Sequence, residues 1–194
     1  MSEATMGRVG RPRDPHVDEA ILSAAVDLLI EEGFARLSIE GVAARAGVGK
    51  ATVYRRWESK TALVVDAIKE RLVSSIEIPE TGDFRADVEA VLTQILVRLR
   101  GMEGQVWRAV VGELVKNEEL AHVFSQRSMA SGRAEMRPRL EAAMERGDVP
   151  PGDVELLSDV GVAVLHHRAL ISGEPLDDDL PARIVNQFFP RETR

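Results

Sequence analysis

Between Gly49 and Lys60 the chain reads Gly-Lys-Ala-Thr-Val-Tyr-Arg-Arg-Trp-Glu-Ser-Lys. Lys50, Thr52 and Arg55 carry long or hydroxylic hydrogen-bond donors, the groups that reach base edges and phosphate oxygens in a major groove. Ala51 is small enough for close approach or for contact with a thymine methyl group. Tyr54 can pack its ring and offer its hydroxyl to a phosphate. Val53 and Trp57 stand four residues apart, so on a helix they share one face and can hold the segment against a support while the other face stays free. Lys60 falls in the first turn of a following helix, where unpaired backbone N–H groups also favour phosphate. No comparable chemistry is found elsewhere. The sequence has no cysteine, which removes disulfides, thiolate nucleophiles and cysteine zinc sites. There is no Gly-rich phosphate loop, no metal-spaced His/Asp/Glu cluster and no Ser-His-acid pattern set on a strand-turn-helix. No enzyme activity is expected and no cofactor.

Such a reading segment needs a scaffold, and the preceding residues supply one. Asp14-Pro15 is a helix start, with Asp14 as N-cap and Pro15 at the first helical position. Ile21, Leu22, Ala25, Leu28 and Leu29 recur at three- and four-residue spacings as one apolar stripe that ends at Gly33. Phe34 and Leu37 then plug a small core. Ser38 caps a short helix over 39–46 with Val42 and Ala43 inward; Gly47-Val48-Gly49 breaks it; a third helix is expected over 50–57. Ser59 caps a fourth, with Leu63, Ala67, Ile68 and Leu72 inward. Two short helices joined by a tight glycine-containing turn after a longer support form a helix-turn-helix.

Gly33-Phe34, the run from Ser38 to Val48 and the run from Gly49 to Lys60 together resemble the DNA-binding signature of the TetR family, continuously from about residue 14 to 72. The resemblance implies that Lys50, Ala51, Thr52, Tyr54 and Arg55 touch bases or phosphates, that Lys60 contacts a phosphate, and that Ser38 caps a helix beside the DNA backbone; Arg45 joins this cationic set. Gly49 stands where the family often has serine, and Trp57 where phenylalanine is commoner. Residues 1–13 are polar and basic, unlike a signal peptide, and read as an arm. Its Arg8-Val9-Gly10-Arg11-Pro12-Arg13 stretch is narrow and cationic, suited to an A·T-rich minor groove through Arg11 and Arg13.

Charge distribution agrees. The chain of 194 residues has net charge −7, yet Arg36 to Lys60 holds six cations against two anions, whereas the residues from Ile76 onward are acidic in balance. One end can attract phosphate and the rest is repelled by it. Hydrophobic residues make up 44% but aromatic ones only 4%, and alternating β-branched runs are scarce, which points to an all-α protein. No apolar run reaches the roughly 18 residues of a membrane span, and the expected setting is the cytoplasm.

The expected organisation is a basic arm (1–13), a three-helix helix-turn-helix DNA-binding domain (14–75) and a larger helical bundle (76–194) for ligand binding and dimerisation. After a break at 79–83, helices are expected over 84–100, 103–116, 118–146, 154–172 and 178–189, with Pro138 kinking the long one. Leu156, Leu157, Val160, Val164, Leu165 and Ala169, then Leu180, Ile184, Val185, Phe188 and Phe189, make the last two helices too apolar for one short bundle to hide. They are read as a homodimer interface, with Gly161 and Ala163 admitting a neighbouring helix. Twofold symmetry predicts a palindromic operator in double-stranded DNA. By the resemblance, the other helices enclose a pocket for an unknown small-molecule effector, with Met102, Trp107, Val110, Val111, Phe124, Met129, Leu165 and His166 as candidate wall residues. Adjacent His166 and His167 point about 100° apart and chelate metal poorly; one of them can hydrogen-bond a ligand instead. The whole reads as a ligand-released repressor; the alternative is a ligand-binding or interaction module that no longer binds DNA.

Overall fold

A computed structural model describes residues 15–72 and 76–191, apart from the side chains of Ser128, Met129 and Ser131. Asp14, Arg11 and Arg13 lie outside the described residues, and so does the side chain of Met129. The described residues contain no strand.

The first four helices are α1 (Pro15–Glu32), α2 (Ile39–Arg45), α3 (Lys50–Tyr54) and α4 (Lys60–Leu72). Helix α1 lies along α4 and against α2, and Ile21, Leu29, Val42, Val53, Leu63 and Ile68 are completely or almost completely buried between them. Full burial of each such side chain contributes about 1.5–3 kcal/mol, which is how helices too short to stand alone are held. The Ser38 and Ser59 caps are those the sequence specifies. Ser38 Oγ accepts from Gly41 N at 3.1 Å and Ser59 Oγ from Ala62 N at 3.0 Å. Gly47 turns the chain between α2 and α3 at φ 68°, left-handed backbone that a Cβ disfavours. The third helix is shorter than its expected span: α3 stops at Tyr54, and Arg55 and Arg56 form a turn that delivers Trp57 to the core.

The larger part comprises α5 (Phe84–Arg100), α6 (Met102–Lys116), α7 (Glu118–Phe124), α8 (Ala130–Arg146), α9 (Val154–His167) and α10 (Leu180–Phe188). Two π-helical turns, at Ser125–Met129 and Arg168–Ser172, replace what the sequence suggests is continuous α-helix. The long helix is therefore interrupted ahead of Pro138, and α8 stays helical through that proline. Helix α5 is central, packing on α6, α9 and α10. Gly161 of α9 faces inward: a Cβ there would stand 3.0 Å from a Leu92 methyl of α5. The close approach it permits is within the chain. The apolar stripe of α10 is also spent internally, with Leu180, Ile184, Val185 and Phe189 buried and the Phe189 ring 5.6 Å edge-on from Phe84.

The two parts are joined by specific contacts. Glu113 of α6 accepts the Phe34 N–H at 3.1 Å, Thr61 of α4 donates to Glu119 at 3.1 Å, and Arg98 of α5 donates to the Arg71 carbonyl at 2.8 Å. Arg127 pairs with Glu58 and Asp66. The N-terminal head thus rides on α4, whose far end is embedded in the larger part.

Candidate nucleic-acid interface and internal cavity

Helix α3 buries Val53 and leaves Lys50, Ala51, Tyr54 and Arg55 exposed on its outer side, with Thr52 half-buried between them. Burial of Val53 and Trp57 anchors the helix, and the Trp57 indole N–H donates to Asp66 of α4 at 3.1 Å. Arg56, one residue past the exposed set, turns inward and pairs with Asp18 of α1, tying the end of α3 to the support helix.

The exposed cations are held by neighbours. Lys50 pairs with Glu40 of α2 and lies 5.5 Å from the Tyr54 ring centroid. The hydrogen bond from Lys50 holds the Glu40 carboxyl below its ordinary range, and Lys50 is raised in turn. Arg55 donates to Thr52 Oγ1 at 3.2 Å. Arg45 makes a two-point pair with Glu31. These contacts pre-orient the side chains, and surface pairs of this kind hold weakly enough to be exchanged for phosphate. Ser38 is engaged in its cap. Lys60 is engaged within the head, donating to the Phe34 carbonyl at 2.9 Å with its ammonium 4.3 Å from that ring's centroid. Five of the candidate contact residues therefore cluster on α3 and its C-cap, while Ser38, Arg45 and Lys60 flank them.

A cavity of about 400 Å³ is lined by the end of α4, by Ile76 and Ile78, and by α5, α6, α8 and α9. Trp107 and His166 line it. The other candidate wall residues whose side chains are described are placed elsewhere. Met102 is 62% exposed and faces an open groove beside α1; Val110, Phe124 and Leu165 are buried in the core, and Val111 packs against it. Phe124 acts one layer back, meeting the Trp107 ring edge-on at 6.0 Å. The wall also includes residues that sequence reasoning missed, among them Lys69 and Leu72 of α4, Ile95 of α5, Met136 of α8 and Val162 of α9. Their inward helical spacing marks them as apolar or amphipathic, but nothing local distinguishes a cavity wall from core.

His166 stands out within this wall. Its Nε2 is buried without a hydrogen-bond partner, and its ring centroid is 4.5 Å from that of Trp107. Burial lowers its pKa to about 4, so the imidazole is neutral at physiological pH. The described residues contain no group of three or more His, Asp or Glu side chains placed to hold a metal ion.

Residues 21–67 match the family model described as bacterial regulatory proteins, tetR family, and residues 78–188 match that of the tetracyclin repressor-like C-terminal domain. The chain belongs to the TetR family. It is a helix-turn-helix, DNA-binding transcriptional regulator. Among TetR-family relatives, the transcriptional regulator YdeS of Bacillus subtilis is 32% identical over 181 residues, covering 93% of this chain and 91% of its own. The DNA-binding transcriptional repressor TetR of Mycobacteroides abscessus is 30% identical over 172 residues, covering 88% and 90%. The crystal structure of the TetR-family regulator SCO0332 superposes with TM-score 0.69 at 34% identity over 89% of this chain and 97% of that one. FadR from Bacillus subtilis in complex with stearoyl-CoA shares the fold, with TM-score 0.69 at 19% identity over 90% and 99%.

Proposed function

We propose that this TetR-family regulator is a homodimeric cytoplasmic repressor that grips a palindromic operator and releases it when a small molecule fills the internal cavity. The observation that carries this reading is the position of α4. The helix supports the DNA-reading head through α1 and Trp57, and its last turn contributes Lys69 and Leu72 to the cavity wall. A ligand that favours one placement of that turn biases the placement of the head, which is what coupling between two sites requires. In a twofold dimer the two copies of α3 must sit about 34–36 Å apart, one turn of DNA, or a multiple of it. A small swing of each head spoils the match. Lys50, Ala51, Thr52, Tyr54 and Arg55 read the groove, Ser38, Arg45 and Lys60 fix the backbone, and Arg11 and Arg13 of the arm add a minor-groove contact.

The dimer face in this reading is formed by the last two helices, chiefly α9. Its outer side carries Leu156, Val160 and Ala163, and Ile171 in the π turn that follows extends the strip, with Leu156 and Ile171 65% and 75% exposed. Helix α10 contributes its exposed Arg183, Asn186 and Gln187 at the edge.

Selection of bound sequences from a random duplex library tests the proposal. It should return a palindrome, with affinity falling steeply as salt rises, and Arg55→Ala should weaken the selected site by about tenfold or more. If no duplex is retained at low ionic strength, the chain is instead a ligand-binding module that has lost DNA recognition.

A further inference from the structure

The cavity wall sorts into an apolar interior, a charged mouth and one polar group with unmet hydrogen bonding. Leu72, Ile95, Leu99, Met136 and Val162 supply most of the interior. The charges on the wall, Lys69 of α4 included, are engaged with partners. Arg133 pairs with Asp159 across α8 and α9 at 3.3 Å, with both side chains more than a third exposed. Glu135 pairs with Arg139, and Arg98 donates to the Arg71 carbonyl. Ser158 spends its hydroxyl proton on the Val154 carbonyl at 2.6 Å. His166 is left: an imidazole on the wall with its Nε2 unpartnered, packed against a Trp107 ring that Phe124 holds in place.

We infer that the effector is an uncharged, mainly apolar molecule whose planar ring system lies against Trp107 and whose single hydroxyl hydrogen-bonds the His166 imidazole. The inference rests on the proposed function, since it names the ligand of the same cavity. An anionic ligand competes with Asp159 for Arg133, and a cationic one competes with Arg133 for Asp159. A neutral one leaves the mouth intact and, with a turn of the imidazole toward the chamber, gains the unmade bond inside. Aromatic faces on the wall favour a ring over an aliphatic chain, and about 400 Å³ falls in the range of small-molecule sites, roughly 300–1,000 Å³. A buried polar atom without a partner is costly and rare, so a ligand that satisfies it is favoured over an isostere that does not.

The test uses three probes on one skeleton, 2-naphthol, naphthalene and 2-naphthoate, titrated calorimetrically into the full-length protein. The expected order puts 2-naphthol about tenfold or more ahead of both others. His166→Phe should erase the gap between 2-naphthol and naphthalene, and His166→Gln should restore part of it. Val162→Trp, which fills the cavity, should abolish all three isotherms with a cooperative thermal transition retained. Tightest binding by 2-naphthoate, no binding by any probe, or a gap that survives His166→Phe overturns the inference. Anisotropy of the selected operator separates it from the parent reading. Bound 2-naphthol that leaves the protein on DNA refutes ligand-driven release and not the ligand class, whereas release by 2-naphthoate alone refutes the class and not the release.

Discussion

His166 shows how one side chain can carry both a binding role and a liability. Its folded pKa of about 4 lies below the ordinary 6.5 because burial disfavours the imidazolium. Above pH 6.5 both folded and unfolded chains hold it neutral, and it costs nothing. As pH falls from 6.5 towards 4 the unfolded chain takes up a proton that the native protein refuses, so stability is lost across that window. The expected loss is about 2 kcal/mol by pH 5. Urea unfolding of the wild type and of His166→Phe at pH 7.5 and pH 5 checks it. The wild type should lose that much more than the variant, because other titrating groups are common to both. Equal losses would mean that His166 protonates freely in the folded state. Sequence reasoning reached Trp107 and His166 as wall residues, since a Trp and a His on apolar helix faces are unusual enough to notice. It could not tell them from Val110, Phe124 and Leu165, because a helix's inward stripe says that a residue is buried and not which neighbour it meets.

Among the elements, α1 to α4 were the most legible. Pro15, Ser38, Gly47 and Ser59 act on their own neighbours within four residues, so the signal and its effect are both local. The π turns at Ser125–Met129 and Arg168–Ser172 were illegible for the opposite reason. An i→i+5 ladder is set by how the flanking helices pack, and no residue type announces it. Gly161 belongs to the same class: its smallness was readable, but not that it serves Leu92 of the same chain. Within the reading pair, α2 and α3 are bridged across their turn by Glu40 and Lys50. Glu40 is an anion beside the surface proposed to meet phosphate, and it occupies a cation proposed to meet it. Glu40→Gln should therefore tighten duplex binding about two- to fivefold at low salt, an effect that fades as salt screens the exposed pair. Fluorescence anisotropy on operator and on unrelated duplex measures this. Weaker binding by the variant would mean that Glu40 serves mainly to aim Lys50.

Considered as a whole, the molecule packs its apolar residues into a core and leaves some outward, among them a strip along α9. The apolar stripe of α10 is consumed internally, while α9 keeps Leu156, Val160 and Ala163 outward and the π turn after it adds Ile171. A double substitution, Leu156→Asp with Ile171→Asp, should leave the fold intact, because both side chains are exposed in the single chain. It should convert a dimer to a 21.3 kDa species by light scattering. Operator affinity should drop by about a hundredfold or more, since each head alone forfeits the effective concentration its twin provides. A double variant that remains dimeric moves the interface elsewhere.

The chain holds two tryptophans, and they report from opposite ends of the proposed coupling. Trp57 sits in the head with its indole tethered to Asp66, and Trp107 borders the chamber beside His166. Replacing Trp57 with phenylalanine leaves an emitter that sees only occupancy of the chamber, and replacing Trp107 leaves one that sees only movement of the head on its carrier helix. The polypeptide thus comes with its own pair of lamps, and the lag between their signals would time how fast news of a bound molecule travels to the DNA.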